Sequence, residues 1–293
     1  MILQSLCDYY HRKTDDLPPP GFERKAIPFV IVLNREGQFV DLEDTRSDSN
    51  NKRDKGRLFK VPQGAANRTS GIVPNLLWDR ADYALGIFTE ARIAKLQGAK
   101  KQKEEREIPR RHQAFIQRIR DTFPDPVTDE GVQAVLNFLD RGNFEPVCSH
   151  PYWVELSKSI ESLSFRLDSD QVLICQRESV RQILASKNQN GTGRGRCLVS
   201  GQFDAIALLH SIIKGVYGGN AKSSGAKLIS FNFAAACSYG KEQGMNAPVG
   251  ELAAFAYTTA LNTLLRTDSR QKLVVGEDTF VFWAERANPA EEQ

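Results

Sequence analysis

The sequence lacks the features that mark membrane and secreted proteins. Every long apolar run is interrupted by a charged residue or a glycine before it could cross a bilayer. The opening residues, MILQSLCDYYHRK, place Asp8 and two tyrosines where a secretory signal needs an uninterrupted apolar stretch. We therefore expect a non-secreted protein of the cytoplasm that has no membrane partner.

Cysteine and histidine are scarce, and their spacing argues against the commonest uses of both. The five cysteines are an odd number, widely spaced, and no two form a C-x-x-C pair. The four histidines stand apart, so no pair has the spacing of metal ligands. These counts disfavour a disulfide framework and a zinc site. They predict reduced, buried thiols, and neither a metal nor another cofactor.

A nucleotide hydrolase is not favoured, although one stretch looks like its phosphate-binding loop. GNAKSSGAKLISFNF, residues 219–233, joins a small cationic loop to a predicted strand, KLISFNF. The phosphate-binding loop requires G-x-x-x-x-G-K-[ST] between a strand and a helix. Lys222 follows Gly219 by only three residues, and the helix N-terminus that would bind the phosphates is not predicted there. GTGRGR, residues 191–196, likewise departs from the dinucleotide pattern G-x-G-x-x-G.

No set of residues predicts catalysis convincingly. Ser200, Asp204 and His210 are near one another only in sequence, which says little about a triad. His210 lies in the apolar run ALLHSII, which favours a hydrogen-bonded structural histidine. The acids of one predicted strand (Asp41, Glu43 and Asp44) could bind a nuclease metal, yet exposed acids are common beside a hairpin turn. A metal-dependent nuclease or a nucleotide hydrolase remains the alternative to a non-catalytic protein.

What the sequence does contain is basic charge concentrated in a few segments. Residues 46–68, 100–120 and 187–227 each carry a net charge of +5, in a chain of 293 residues whose total is +3. The rest of the chain therefore carries −12. Any one segment is as readily a solvated face, but three together indicate a polyanionic partner such as nucleic acid.

The predicted elements indicate an α+β fold of antiparallel hairpins with packed helices, and no doubly wound parallel sheet. Hairpins are predicted in three stretches of alternating or β-branched residues, which are FVIVLN with QFVDLED, SLSFRLDSDQVLIC, and KLVVGEDTFVFWAE. LFKVP and KLISFNF are further strand candidates, and CLVSG is expected to follow the loop NQNGTGRGR as another.

Helices are predicted from apolar spacing and from capping residues. One opens the chain, one runs through ARIAKLQGAKKQKEER, and another follows Pro109 with Phe115 and Ile119 on its apolar face. TDEGVQAVLNFLDRG is expected to begin at Thr128 or Asp129 and to stop at Gly142, and RESVRQILASK is a short helix. In PVGELAAFAYTTALNTLLR, Pro248 is expected in the first turn and Leu252 on the main apolar face.

Three long stretches resemble a known family. They are NRTSGIVPNLLWDRADYALG, GAKLISFNFAAACSYGKEQGMNAPVGELAAFAYTTALNTLL and VVGEDTFVFWA. Together with MILQSLCDYY and PPPGF they resemble the Csd-type family, the large subunit of the type I-C CRISPR surveillance complex (Cascade). The resemblance is weaker in residues 91–120 and 47–55. This sequence also departs from the family in QFDAIALLH, residues 202–210, where family members often carry a proline and an arginine.

The resemblance implies a non-catalytic subunit of an RNA-guided antiviral defence complex. Such a subunit recognises the protospacer-adjacent motif (PAM) in double-stranded target DNA, helps to open that duplex, and recruits a separate helicase–nuclease. Pairing with the guide RNA supplies the remaining specificity. The implied partners are target DNA, guide RNA, the backbone subunits of the complex and the helicase–nuclease. A scaffold that contacts only protein and RNA is a further alternative.

The resemblance also implies a domain organisation. Residues 1–293 would be the N-terminal DNA-recognition domain of a longer family protein, with a helical insertion at residues 88–142 and without the family's helical C-terminal region.

The implied DNA-binding surface maps to three loops of this sequence, around residues 67–71, 220–225 and 239–248. Asparagines are the predicted contacts to base edges, namely Asn67, Asn220 and Asn246. Cations are the predicted contacts to phosphates, namely Arg68, Lys222 and Lys227. The remaining predicted DNA-binding residues of these loops are Thr69, Ser70, Ser223, Ser224 and Gln243.

Overall fold

The protein is described here by a computed structural model that covers residues 1–48, 51, 54–65, 71–94, 96–124, 126–187, 193–216, 225–231, 233, 235, 237–286 and 288. The chain divides into two compact units. The inserted unit is Phe22–Ser186, and the terminal unit combines Met1–Gly21 with Lys187–Gln293. Helices and small sheets occur in both, which confirms the predicted α+β class.

The inserted unit is built around a four-stranded mixed sheet. Its strand order is β3 (Phe39–Asp44), β2 (Phe29–Leu33), β6 (Ser162–Leu167) and β5 (Trp78–Arg80). β2 pairs antiparallel with β3, as the predicted hairpin requires, and parallel with β6. All five residues of β2 are buried, as expected for a central strand that is covered on both faces. A separate antiparallel pair joins β1 (Phe22–Ala26) to β4 (Leu58–Pro62).

Helices cover this sheet. The helices of the inserted unit are α2 (Ala81–Ala84), α3 (Glu90–Ile93), α4 (Gly98–Thr122), α5 (Glu130–Arg141), α6 (Glu145–Cys148), α7 (Trp153–Ser157) and α8 (Glu178–Lys187), with a 3₁₀ turn at Ile174–Gln176. Phe115 of α4 and Phe138 of α5 pack against Phe165 of β6, with ring centroids 6.4 and 6.3 Å apart. Each such buried phenylalanine contributes about 1.5–3 kcal/mol.

The helix α5 begins and ends where its capping residues predict. The side chain of Asp129 accepts a hydrogen bond from the backbone N–H of Val132 at 2.9 Å, so Asp129 is the N-cap. Gly142 ends the helix in the left-handed region, with φ of 62°.

Pro109 does not interrupt α4, which corrects the prediction of two helical pieces. The helix continues from Gly98 to Thr122 with Pro109 inside it, although a proline in a helix interior loses one hydrogen bond and costs about 3 kcal/mol. Arg111 donates hydrogen bonds to Glu104 at 2.7 Å and to Glu107 at 2.8 Å. Because these acids lie before Pro109 and Arg111 lies after it, the ion pairs join the two halves of the helix.

The predicted hairpin in SLSFRLDSDQVLIC is also wrong in its second half. Only its first strand forms, as β6, and the return is a single bridge between Arg166 and Leu173. Residues 174–176 continue as the 3₁₀ turn, while the sheet positions beside β6 are taken by β2 and β5.

In its described residues, the terminal unit has two α-helices, α1 (Ile2–Arg12) and α9 (Glu251–Leu264), which pack together, and a 3₁₀ turn at Gln243–Asn246. Tyr10 meets Phe255 edge-on with ring centroids 5.7 Å apart, and Cys7 Sγ donates to the carbonyl of Ala253 at 3.5 Å. Two antiparallel hairpins complete the unit, β7 (Arg194–Arg196) with β8 (Phe203–Ala205), and β9 (Lys272–Val275) with β10 (Asp278–Val281). The β9–β10 hairpin was predicted from the sequence. Lys272 Nζ, on β9, donates to the carbonyl oxygen of Leu265, the C-cap residue of α9, at 2.9 Å.

Several predictions for the terminal unit are wrong. Helix α9 begins at Glu251 with Gly250 as N-cap, so Pro248 lies before the helix rather than in its first turn. Leu252 is exposed rather than on the main apolar face, because α1 packs on the face of Ala254, Tyr257 and Leu264. KLISFNF, residues 227–233, forms no strand in its described residues, and the single bridge nearby, Ala226 with Ile213, lies just before it. CLVSG is a turn rather than a strand.

The cysteines are all free, as predicted, but they are not all buried. Cys7, Cys175 and Cys197 are buried, whereas Cys148 is half-buried and Cys237 is exposed. Within the described ranges, no helix combines the length and the apolar character that a membrane span requires.

Candidate nucleic-acid interface

Three of the eleven predicted DNA-binding residues can be placed. Lys227, Gln243 and Asn246 belong to the terminal unit. The other eight lie outside the described residues, and they are Asn67, Arg68, Thr69, Ser70, Asn220, Lys222, Ser223 and Ser224. For these eight the predicted roles stay predictions.

The chain enters the first predicted loop from a fixed point in the inserted unit. The backbone N–H of Ala65 donates to the side-chain oxygen of Asn75 at 2.9 Å. The N–H of Asn75 donates in turn to Asp79 Oδ2 at 2.7 Å, and both of these polar side chains are buried. Residues 66–70 therefore follow a residue that a buried hydrogen-bond chain holds to the core.

Lys227 follows a similarly fixed point in the terminal unit. Ala226 and Ile213 exchange two backbone hydrogen bonds, of 2.8 and 3.0 Å. Gly225 has φ of 80°, and a Cβ there would lie 2.4 Å from the carbonyl oxygen of Ile213, so the position requires glycine. Lys227 itself is exposed, and its ammonium forms no ion pair with the part of the chain that the structure describes.

His210 lies near Lys227 and has a structural partner. Its Nδ1 forms a hydrogen bond with the hydroxyl of buried Tyr257 at 2.6 Å. Burial, reinforced by the positive charge of Lys227, lowers the pKa of His210. The imidazole is therefore neutral at pH 7. Its described contacts include neither Ser200 nor Asp204, so these three residues do not form a triad in the described coordinates.

Residues 238–246 form a turn that Asn246 holds together. The side-chain oxygen of Asn246 accepts from the N–H of Ser238 at 3.1 Å, and its amide donates to the carbonyls of Lys241 and Gln243 at 3.2 and 3.0 Å. These bonds stabilise a backbone that has φ of 53° at Tyr239 and 45° at Gln243. Contact with a base edge would compete with them, so the structure favours a positioning role for Asn246, and its predicted base contact stays untested.

Gly244 attaches this turn to the rest of the unit. Its N–H donates to the carbonyl of Leu208 at 3.2 Å. A Cβ at Gly244 would lie 2.1 Å from the carbonyl oxygen of Ala207, so no other residue fits without a shift of the backbone. The attachment presents the side chains of Tyr239, Lys241 and Gln243 to solvent from a fixed backbone.

Gln243 has the chemistry that its predicted role needs. Its side chain is exposed and carries a donor and an acceptor, the combination that reads adenine in a major groove. Lys241 beside it has no ion pair among the described residues and can approach a phosphate. The turn thus combines one exposed side-chain amide with one cation, and the predicted DNA contact of Gln243 stays a prediction.

The hairpin β7–β8 carries exposed groups that are not among the eleven predicted DNA-binding residues, although Arg194 and Arg196 belong to the basic segment 187–227. Arg194 and Arg196 lie on β7, and Phe203 lies on β8 with its side chain 67% exposed. The signal was the alternation in RGR and FDA, which places these three side chains on one face of the hairpin. Residues 188–196 were instead interpreted as a loop.

The candidate metal-binding acids of β3 have other partners. Asp41 pairs with His150 Nε2 at 2.9 Å, Glu43 pairs with Arg166, and Asp44 pairs with Arg46 at 2.6 Å. Among the described residues, no cluster of three or more histidine, cysteine or carboxylate side chains could hold a metal ion. The described coordinates therefore give no support to a nuclease metal site.

The second basic segment is largely used within the inserted unit. Its cations Lys101, Lys103, Arg111 and Arg120 pair with carboxylates. Arg118 donates to the carbonyl of Pro74 at 2.6 Å. Most of the charge on α4 thus has a structural role, which leaves fewer free cations than the sequence count indicated.

The fold and these surfaces define an α+β protein whose terminal unit presents an amide, exposed aromatic side chains and cations without ion pairs among the described residues. Comparison with known families is consistent with that description: the sequence profile of the family described as CRISPR-associated protein (Cas_Csd1) matches residues 6–293. Because the match spans nearly the whole chain, the protein belongs to this family, which contributes subunits to the Cascade complexes of CRISPR defence. No curated protein matches the chain.

Membership in this family confirms the resemblance that the sequence motifs carry. It also means that the protein acts together with other components of a CRISPR complex.

Proposed function

We propose that this protein is the non-catalytic large subunit of a type I-C Cascade, located in the cytoplasm, and that it recognises the PAM in duplex DNA. The observation that carries the proposal is the turn at residues 238–246. It holds Gln243 and Lys241 exposed on a backbone fixed by Asn246 and Gly244. Such an arrangement suits one base contact beside one phosphate contact.

The same proposal includes three further roles. Lys227 contacts a phosphate, because it is exposed and has no ion-pair partner in the described residues. The loops around residues 67–70 and 220–224 supply the predicted asparagine and cation contacts. Opening of the duplex, contact with guide RNA and recruitment of the helicase–nuclease rest on the family resemblance alone.

The test measures binding of the assembled complex to duplexes with and without the motif, over a range of salt concentrations. Gln243→Ala is expected to reduce the preference for the motif roughly 5- to 150-fold, the effect of losing a bidentate base contact worth about 1–3 kcal/mol. Lys227→Ala is expected to weaken binding to all duplexes alike and to make the salt dependence shallower by about 0.9 in log–log slope.

Two controls match these variants. Gln182→Ala removes an exposed amide that bonds Glu178, and Lys103→Ala removes a cation that pairs with Glu107 at 3.8 Å. Neither control is expected to change motif preference or the salt dependence. The proposal is wrong if Gln243→Ala and Asn67→Ala both retain full motif preference. It is also wrong if the purified chain cleaves DNA or turns over ATP and Lys222→Ala abolishes that activity.

A further inference from the structure

The exposed face of the β7–β8 hairpin has an unusual composition. The pairing places Arg196 opposite Phe203 and Arg194 opposite Ala205. Because strand residues alternate between faces, Arg194, Arg196, Phe203 and the buried Ala205 share one face, and Gly195 and Asp204 share the other. The shared face therefore presents two arginines beside one phenylalanine, with no acidic residue on it.

These three side chains are available to a ligand. Both arginines are exposed, and neither forms an ion pair with any part of the chain that the structure describes. The guanidinium of Arg194 lies 5.8 Å from the ring centroid of Phe203. Phe203 remains mostly exposed in spite of this contact, although burying such a side chain is favourable.

The hairpin is held rigidly from its opposite face. A Cβ at Gly195 would lie 3.4 Å from the side chain of Ile206, and one at Gly250 would lie 2.6 Å from Asp204 Oδ2. The N–H of Ile206 donates to the carbonyl of Gly193 at 2.8 Å, and the N–H of Ala207 donates to Val249 at 2.9 Å. The arginines and Phe203 thus stand on a backbone that is attached to the residues leading into α9.

The chemistry of this face identifies the class of ligand. An exposed aromatic ring can bury its face by stacking on another flat π-system, and arginines bind phosphates in a bidentate manner. A nucleic-acid strand offers both groups in alternation. In a duplex, however, the π-faces of the bases are covered by their stacked neighbours, so an exposed ring on a flat hairpin can reach only a base that is unpaired and unstacked.

We propose that Arg194, Arg196 and Phe203 form a stacking platform for an unpaired nucleotide, in which Phe203 contacts the base and the arginines contact the adjacent phosphates. The inference rests on the proposed function only in taking nucleic acid as the partner. The platform lies on residues different from those assigned to PAM recognition. The same chemistry is offered by a strand of opened DNA and by single-stranded RNA.

The experiment uses the 293-residue chain and oligonucleotides that contain a single 2-aminopurine, whose fluorescence falls when the base stacks. Single-stranded DNA, single-stranded RNA and duplex DNA of one sequence are titrated separately. Phe203→Leu is expected to weaken binding of the single strand roughly 5- to 150-fold and to restore the fluorescence, because it removes one base-stacking contact. Phe203→Trp is expected to keep both affinity and quenching.

The matched control is Phe280→Leu, which alters another exposed phenylalanine, 53% exposed against 67% for Phe203, on the β9–β10 hairpin of the same unit. It is expected to leave binding unchanged. Dependence on Phe203 in the DNA arm assigns the platform to an opened DNA strand, and dependence in the RNA arm assigns it to RNA. Circular dichroism and thermal melting verify that each variant is folded.

Two results overturn the inference. One is unchanged single-strand binding and quenching in folded Phe203→Leu. The other is a loss of binding in the double variant Arg194→Gln with Arg196→Gln while Phe203→Leu has no effect, which indicates a plain electrostatic contact. Either result leaves PAM recognition standing if Gln243→Ala still lowers motif preference, so the two proposals fail separately.

Discussion

The two units use their positive charge in opposite ways. In the inserted unit, Arg111 and Arg177 are largely buried and each bonds several carboxylates. In the terminal unit, Arg194, Arg196 and Lys227 are exposed without ion pairs among the described residues. A basic segment therefore indicates a binding surface only where its cations have no partners within the fold.

The largest effect that tests this comparison is expected from Arg111→Met. Arg111 donates to Asp82 at 3.0 Å, and Asp82 has a fully buried side chain. Removing the guanidinium weakens the compensation of that charge and breaks the link across Pro109, so we expect a loss of about 3–5 kcal/mol in unfolding free energy, measured by urea denaturation.

The control for this prediction is Arg120→Met, which breaks an exposed pair with Asp140. Its expected cost is at most about 1 kcal/mol. Equal losses of unfolding free energy in Arg111→Met and Arg120→Met would mean that the buried ion pairs of Arg111 stabilise the fold no more than an exposed pair does.

A smaller effect is expected from Gly244→Ala in the terminal unit. The new Cβ would meet the carbonyl oxygen of Ala207 at 2.1 Å, and such overpacking typically costs about 1–3 kcal/mol. Hydrogen exchange should therefore become faster in residues 238–250, and motif preference should fall with it. Gly195→Ala is the comparison variant, because its Cβ would make an ordinary contact of 3.4 Å with Ile206. Unchanged exchange in Gly244→Ala would contradict the attachment of the turn.

The smallest change in unfolding free energy is expected from substituting Asp129. Burial would raise the pKa of this carboxyl, but hydrogen bonds from Ser179, from the Val132 N–H and from Arg177 outweigh burial and lower the pKa. A lowered pKa means that Asp129 stabilises the folded state above its unfolded pKa, near 4, and that this contribution is lost as the pH falls through the folded value.

Urea unfolding at pH 7 and at pH 3 measures this contribution. Asp129→Ala is expected to cost about 0.5–2 kcal/mol at pH 7 because the cap is lost. Asp129→Asn keeps a cap, so the difference in unfolding free energy between the wild type and this variant measures the contribution of the carboxylate charge. That difference should shrink at pH 3. An advantage that grows on acidification would contradict the assigned direction of the pKa shift.

Local signals in the sequence predict the elements that depend on neighbouring residues. The hairpin of β2 and β3 follows from a run of apolar, β-branched residues and an alternating run on either side of a short turn, and the limits of α5 follow from Asp129 and Gly142. Non-local pairings are not encoded in this way. The parallel pairing of β2 with β6 joins residues more than 120 positions apart, and the ion pairs of Arg111 that span Pro109 in α4 cannot be read from the sequence alone.

The candidate site shows the same division. Composition indicated the turn at residues 238–246, but only the coordinates show that the amide of Asn246 is engaged by the backbone. Phe203 was missed because the alternation in RGR and FDA is too short to distinguish a hairpin from a loop. The pairing of β7 with β8 places Arg194, Arg196 and Phe203 on one face of the hairpin.

The packing of α1 against α9 has a consequence for how the protein is made. Cys7 and its hydrogen-bond partner Ala253 are 246 residues apart in the chain. At about 5–20 residues per second, a ribosome needs roughly 12–50 s to synthesise that interval. The inserted unit is contiguous and can fold during this time. The apolar face of α1 stays without its partner until α9 has been synthesised, so we expect α1 to be buried later than the core of the inserted unit.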